Sequence, residues 1–329
     1  MLVDNHGRPL NYVRLAVTDR CNLRCFYCMP EEGIHYLPKK ALLTFEEIER
    51  VISILASLGI SKVRITGGEP FVRTDMMQLI RTITNIPGIN DLHITTNGVL
   101  TAQHIPELKK LGIASVNLSL DTLSKEHFHT ITRRDEFDAV MKTYHELLAH
   151  NIPVKINAVV MDGKNTDDII PLAELTREHP VSVRFIEEMP FNGEGNHYPI
   201  LNWTYVKILE HLTSHYPSIQ KIKDPENSTA YNYSIPGYKG NIGIIAAFSR
   251  TFCGTCNRLR ITAQGGLKTC LYDDGVLDIK AMLRAGKSNE EIKDALLKAF
   301  QSRPLNGFEA EEKRKDHTLA HESMSTIGG

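Results

Sequence analysis

The chain has no long apolar stretch: across its 329 residues no hydrophobic run approaches the roughly 18 needed for a membrane-spanning helix. The first residues, Met1 to His6, have neither the basic nor the apolar region of a secretory leader, so a cytoplasmic protein is expected. There is no charge excess of either sign. With 38 Lys and Arg against 39 Asp and Glu the formal net charge is −1, which removes the basic field that nucleic-acid binding relies on. A single tryptophan, Trp203, leaves little for an aromatic base-stacking surface. No tract of low complexity interrupts the chain. Cysteine is missing from the whole stretch between Cys28 and Cys253.

The six cysteines fall into two groups of three near opposite ends: Cys21, Cys25 and Cys28, then Cys253, Cys256 and Cys270. The first group is spaced C-x3-C-x2-C in one loop after an apolar strand, Val13 to Val17, with Pro30 and Gly33 behind it. An odd set of thiols in a reducing compartment argues against disulfides. Structural zinc takes a fourth ligand close by, and the nearest histidine, His35, stands alone. A [4Fe–4S] cluster held by three thiolates, with one iron open, is the favoured reading; a zinc knuckle is the alternative. The second group, C-x2-C-x13-C, leaves the same choice open, with His317 and His321 as the only nearby histidines for a zinc site. Two three-cysteine sets in one chain favour two clusters.

Between the groups the sequence alternates strand and helix with a period near 30 residues. Strands are expected at 62–66, 92–96, 115–120, 154–160 and 181–186 after the first, and helices at 48–58, 76–84, 137–150 and 169–178. Thr44 and Glu47 have the form of a capping box at the first helix. This alternation predicts a parallel sheet with helices outside. The strands mix apolar residues with Arg64, His93, Thr95, Asn117, Ser119, Lys155, Asn157 and Arg184. A sheet buried on both faces by helices would read more continuously apolar. Inward polar residues suit a barrel lined for a ligand, and six units predict a partial (βα)6 barrel with its site at the C-terminal strand ends. The pattern breaks after Met189, so a barrel domain over 1–190 and an α+β domain over 191–329 are expected, the latter with helices near 202–216 and 290–300. The charge-rich stretch 309–317 reads as a solvated tail.

The C-x3-C-x2-C loop with Tyr27 before its last cysteine resembles the radical S-adenosylmethionine (SAM) enzymes. With Thr18-Asp19-Arg20, Gly67-Gly68-Glu69-Pro70, Thr95-Thr96-Asn97-Gly98, Ser119 and Asp121, Arg184 to Glu187, Cys253 to Arg260 and the final Gly328-Gly329, nearly the whole chain resembles the molybdenum-cofactor GTP 3′,8-cyclases within that superfamily. The resemblance implies two [4Fe–4S] clusters and SAM as cofactors. SAM would be cleaved to a 5′-deoxyadenosyl radical at Cys21, Cys25 and Cys28, positioned by Tyr27, Gly68, Ser119 and Met189. GTP would be held by Arg14, Arg64, Thr95, Lys155, Arg258 and Arg260, with its guanine at the second cluster. Arg260, Gly328 and Gly329 would take part in catalysis. An electron donor and a downstream molybdopterin-pathway enzyme are the implied partners; the oligomeric state, a homodimer included, stays open. Two other readings are a radical SAM peptide-modifying dehydrogenase with an auxiliary cluster and a zinc-binding module.

Overall fold

The computed structural model describes residues 2–191, 201–314 and 322–328. The expected site residue Gly329, and His317 and His321, lie outside the described residues. One twelve-stranded sheet runs through the molecule. Its strands are β1 (Tyr12–Ala16), β2 (Lys62–Thr66), β3 (Asp91–Thr96), β4 (Ser115–Ser119), β5 (Val154–Val160), β6 (Ser182–Glu187), β7 (Gln220–Lys221), β8 (Tyr231–Ser234), β9 (Asn241–Ile245), β10 (Arg258–Ile261), β11 (Gly266–Lys268) and β12 (Leu277–Asp278).

The six expected units form the middle of this sheet in sequence order, β1 to β6, all parallel. Two strands from beyond residue 190 lengthen the parallel run: β10 joins the outer edge of β1, and β9 joins β6. Antiparallel pairs, β11–β12 and β7–β8, finish the two ends. Each end of the partial barrel is therefore completed by the C-terminal part of the chain.

Residues paired in register share a face of the sheet, and successive residues alternate between faces. The outer face is apolar and fully buried: Val13 and Leu15, Val63 and Ile65, Ile94, Val116 and Leu118, Ile156, Val183 and Phe185, Ile242 and Ile244, Leu259 and Ile261. The helices pack on it. The first, Phe45–Ser57, starts with the expected capping box, Thr44 Oγ1 accepting from Glu47 N while the Glu47 carboxylate accepts from Thr44 N, and buries Ile48, Val51, Ile52, Ile54 and Leu55. The inner face carries Tyr12, Arg14, Arg64, His93, Thr95, Asn117, Ser119, Lys155, Asn157, Arg184, Arg258 and Arg260, as the register pairs Arg14 with Arg64 and Arg260, Asn117 with Thr95 and Lys155, and Asn157 with Arg184.

The helix Lys125–Thr132 was not foreseen, because only Phe128 and Ile131 mark an apolar stripe on it. The expected solvated tail departs further. Gly307–Glu312 is a helix capped by Asn306 Oδ1, which accepts from Phe308 N and Glu309 N. Glu311 pairs with the buried Arg250 at 2.7 Å, and Arg314 is buried against Asp274 and Glu322. A charge run reads as solvent-facing only until its partners of opposite sign, distant in sequence, are known.

The two faces of β6 should respond differently to truncation. Phe185→Ala, on the outer face, is expected to cost about 3–5 kcal/mol through the cavity it leaves. Arg184→Ala, one residue earlier and on the inner face, should cost much less, since it removes a buried cation from a like-charged neighbourhood. Denaturation of both variants measures this; equal losses would contradict the division into a packed and a ligand-facing side.

Candidate active site

A cavity of about 280 Å³ runs along the inner face, from the loops after the C-terminal ends of the strands, where the site was expected, to Cys256 and Arg258 at the N-terminal end of β10. All six cysteines line it, together with Arg14, Tyr27, Gly68, Thr95, Ser119, Met189, Arg258 and Arg260. Two expected substrate ligands, Arg64 and Lys155, are not at its wall. They lie on the same inner face, nearer the strands' N-terminal ends.

The first cysteine loop follows β1 directly. Its stem, Thr18 to Arg20, lies against the exit of β2, where Gly68 N donates to Thr18 O and Glu69 N to Arg20 O, both at 2.8 Å. A Cβ on Gly68 would sit 2.2 Å from Arg20 O, so this position demands glycine because the cysteine loop's own backbone is there. Glu69 is buried and anchors the next loop, accepting from Thr96 Oγ1 at 2.8 Å and Asn97 N at 2.7 Å. Asn97 then donates to Cys21 Sγ at 3.6 Å. Tyr27 donates to Asp121 Oδ2 at 2.8 Å, and Asp121 Oδ1 accepts from Val159 N at 2.8 Å, which ties the loop to β5.

All six thiols are free. Burial pushes Cys21 up to about 12 and Cys28 to about 11, and the nearby charges add to the rise at Cys21. Cys25 is raised well above the usual thiol value by burial, Asp121 and the other two thiols. Cys256 goes the other way: burial would raise it, but Arg258 and Arg303 bring it down to about 6. Arg258 Nη2 lies 3.4 Å from its sulfur. Among the described residues, no set of three or more His, Cys, Asp or Glu side chains converges as ligands of one metal ion would. Three free thiols in each triplet, all at the wall of the cavity, are the donor type that an iron–sulfur cluster takes, and three of them would leave one iron of a [4Fe–4S] cluster for another ligand.

Between the triplets the inner face is cationic. Arg64 Nε donates to Tyr12 Oη at 2.6 Å. Burial would raise Tyr12, yet Arg64 and Arg14 bring its phenol down to about 7. Burial together with Arg184, Arg64 and Lys62 lowers Lys155 to about 8, and burial with the same cationic neighbourhood holds His93 neutral, down to about 2. Arg14 Nε, Arg64 Nη1, Arg184 Nε, Arg258 Nε, His93 Nε2, Asn117 Oδ1 and Asn157 Oδ1 are buried without a hydrogen-bond partner among the described residues. Such atoms are costly unless a ligand satisfies them. The chain end meets this face as well: Arg260 Nη1 donates to Gly328 O, and Gly328 packs against Ala16 and Thr66.

Sequence reading put Asn117, Asn157 and Arg184 among the inward polar strand residues without assigning them a ligand, and it missed Tyr12, Lys268, Arg8 and Arg303. Strand parity carried the signal for Asn117, Asn157 and Arg184, which share a face with the expected ligands. Arg8 and Arg303 had no local signal.

The family model for the radical SAM superfamily matches residues 15–176, and the one for molybdenum cofactor synthesis C matches 181–308. GTP 3′,8-cyclase of Syntrophomonas wolfei is 42% identical over 97% of this chain and 99% of its own length. GTP 3′,8-cyclase of Desulforamulus reducens is 40% identical over the whole of both chains. The chain belongs to the GTP 3′,8-cyclase family. It also matches molybdenum cofactor biosynthesis protein 1 of Homo sapiens, 43% identical over 88% of this chain, and spans about half of that longer relative, 46%. Among solved structures, Streptococcus suis SuiB bound to S-adenosylmethionine superposes with a TM-score of 0.63 at 16% identity, covering 94% of this chain and 69% of that one, which shows the shared fold.

The cationic face makes anion affinity depend on pH. As pH rises, the free protein loses a proton from Tyr12 near 7, which creates a phenolate, and from Lys155 near 8, which removes an ammonium; each loss makes the face more negative by one charge. A bound anion favours the protonated forms, so affinity must fall through this range, by up to about tenfold per pH unit for each proton taken up. Calorimetry with inorganic tripolyphosphate from pH 6.5 to 9 should show the decline, and Lys155→Arg should remove its upper part. A flat profile in the parent protein would mean that neither group faces the anion.

Proposed function

We propose that this chain is a radical SAM GTP 3′,8-cyclase. It would convert GTP to (8S)-3′,8-cyclo-7,8-dihydroguanosine 5′-triphosphate, the first step of molybdenum cofactor biosynthesis. The observation that carries the reading is the facing of two three-thiol sets across one cavity, with a cationic strand face between them. In this proposal Cys21, Cys25 and Cys28 hold one [4Fe–4S] cluster and Cys253, Cys256 and Cys270 the other. The clusters and SAM, when bound, supply the one-electron chemistry and the radical that removes a ribose hydrogen.

The chain's own residues bind and orient. Tyr27, Gly68, Ser119 and Met189 surround SAM at the first triplet. GTP carries about four negative charges, which suits a cavity with buried, unpartnered guanidinium nitrogens. Arg14, Arg258 and Arg260, with Thr95, take its phosphates and ribose, Arg64 and Lys155 add positive charge from the same face behind the cavity wall, and its guanine faces the second triplet. Arg260, already holding Gly328 O, together with Gly328 and Gly329, orients the ribose for ring closure. Tyr272 lines the cavity and packs with Phe191, Ala310 and Ile327 in an apolar cluster, which would limit the entry of water on that side. The division into 1–190 and 191–329 belongs to the same reading and is supported by the two family models meeting between 176 and 181. So do a cytoplasmic setting, an external electron donor and a downstream enzyme of molybdopterin synthesis. The peptide-modifying alternative is not favoured: SuiB bound to its precursor peptide shares only 18% identity with this chain and speaks for the fold alone.

Anaerobic reconstitution with iron and sulfide, then dithionite, SAM and GTP, tests the proposal by mass spectrometry. Two clusters correspond to about eight iron per chain. GTP-dependent 5′-deoxyadenosine, with an isomer of GTP that acid converts to a pterin, is the expected result. Arg260→Ala should retain SAM cleavage while losing roughly two orders of magnitude in cyclised product. 5′-Deoxyadenosine with GTP untouched would move the substrate to a peptide, and two zinc ions with no iron would end both radical readings.

A further inference from the structure

Residues 2–10 form a small hairpin, with Val3 bridged to Pro9 and Leu10 N donating to Leu2 O. At its turn the Asp4 carboxylate is fully buried. Its Oδ1 accepts from the hairpin's own His6 N and Arg8 N, both at 2.9 Å. Its Oδ2 accepts from two guanidiniums: Arg8 Nε at 2.7 Å and Arg303 Nη1 at 2.8 Å. Both arginine side chains are buried, with 6% and 2% of their surface exposed.

The remaining donors of these arginines run to the loops of the second cysteine group. Arg8 Nη1 donates to Cys253 O at 3.1 Å, and its two terminal nitrogens reach Leu305 O and Pro304 O at 2.7 and 2.9 Å. Arg303 Nε donates to Thr269 O, next to Cys270, at 3.2 Å, and Arg303 Nη1 to Cys256 O at 3.2 Å. Arg303 Nη2 donates to Arg258 O at 3.1 Å and lies 3.7 Å from Cys256 Sγ. The backbone at or beside each of the three cysteines is thus gripped by one of two guanidiniums, and both are set by one carboxylate.

We propose that Asp4, Arg8 and Arg303 form a positioning triad for the second cysteine triplet, which holds its three thiolates in register and raises the potential of the cluster they carry. The inference rests on the reading of Cys253, Cys256 and Cys270 as cluster ligands. Charge supports it beyond packing. Two guanidiniums against one carboxylate leave a buried excess of positive charge, which a purely structural ion pair would avoid. The excess sits beside Cys256, where an anionic thiolate answers it. Hydrogen bonds and positive charge at a ligating sulfur favour the electron-richer state of a cluster.

The test starts from full-length protein carrying Cys21→Ser, Cys25→Ser and Cys28→Ser, so that only the second triplet can take iron. After anaerobic reconstitution this parent should hold about four iron per chain. Introducing Arg303→Met should lower the iron content by half or more or, where iron is retained, move the midpoint potential in an EPR-monitored titration to a more negative value. Arg303→Lys should restore part of the shift, and Asp4→Asn, which removes the countercharge and leaves both guanidiniums, should move the potential the other way, to a more positive value, with some loss of iron as the arginines lose their anchor. Should Arg303→Met fail to fold by circular dichroism, the Arg303→Lys and Asp4→Asn comparison decides. A parent without iron would overturn the cluster reading. An iron-bearing parent whose variants match it in iron content and potential would overturn the triad.

Discussion

Burying several cations on one face of a parallel sheet is the constraint around which the molecule is arranged. Arg14, Arg64, Lys155, Arg184, Arg258 and Arg260 share the inner face. Like charges in a poorly solvated space oppose folding, and the values of Lys155 and Arg184, lowered by burial and by neighbouring cations, register that cost. The outer face offsets the rest. Its aliphatic residues are almost wholly removed from water under the helices, and each large side chain so buried contributes about 1.5–3 kcal/mol. The sheet tolerates a charged interior because its exterior is uninterruptedly apolar, and the strict alternation of the strands follows from that division of labour.

The same constraint explains why the C-terminal part of the chain builds onto the barrel as additional strands. Two of the cations, Arg258 and Arg260, come from β10, which pairs with β1. Register alone brings Arg260 beside Arg14 and Arg258 beside Tyr12. A strand placed there carries the second cysteine loop with it, since Cys256 precedes Arg258 by two residues. Pairing of β10 with β1 therefore fixes the relation of one triplet to the other, because the first triplet's loop leaves the opposite end of β1.

Much of this was legible in the sequence, and the limits have physical causes. Strand–helix period, the Thr44–Glu47 cap and the cysteine spacing are local signals, and the six central strands stand where the period puts them. Polar residues on apolar strands pointed to a lined interior. What escaped was non-local. Strands β9 and β10 are short, and nothing within Asn241–Ile245 or Arg258–Ile261 names the strand at the far end of the chain that each one joins. Arg303 and Asp4 look like surface residues until their separation of nearly the whole chain is closed to 2.8 Å. The charged stretch from Glu309 misled for the same reason, its partner Arg250 being 61 residues away from Glu311.

The chain end completes the cavity through contacts to both halves of the site. Ser323 Oγ donates to Cys28 O at 2.7 Å, and Met324 and Ser325 line the cavity wall. Four residues on, Gly328 O accepts from Arg260. A Cβ at Gly328, where φ is +79°, would lie 2.7 Å from Thr66 Cγ2 and 3.2 Å from Ala16 Cβ, so only glycine passes between the ends of β1 and β2. One short segment thus touches the first cysteine loop at one end and an inner-face arginine at the other. Arg260 is the hinge of this arrangement: it belongs to the strand that carries the second triplet, it stands in register with Arg14, and it holds the tail that is tied to the first triplet. Any movement of the tail must be felt at the cationic face, because the guanidinium that would meet an anion is the one that holds Gly328.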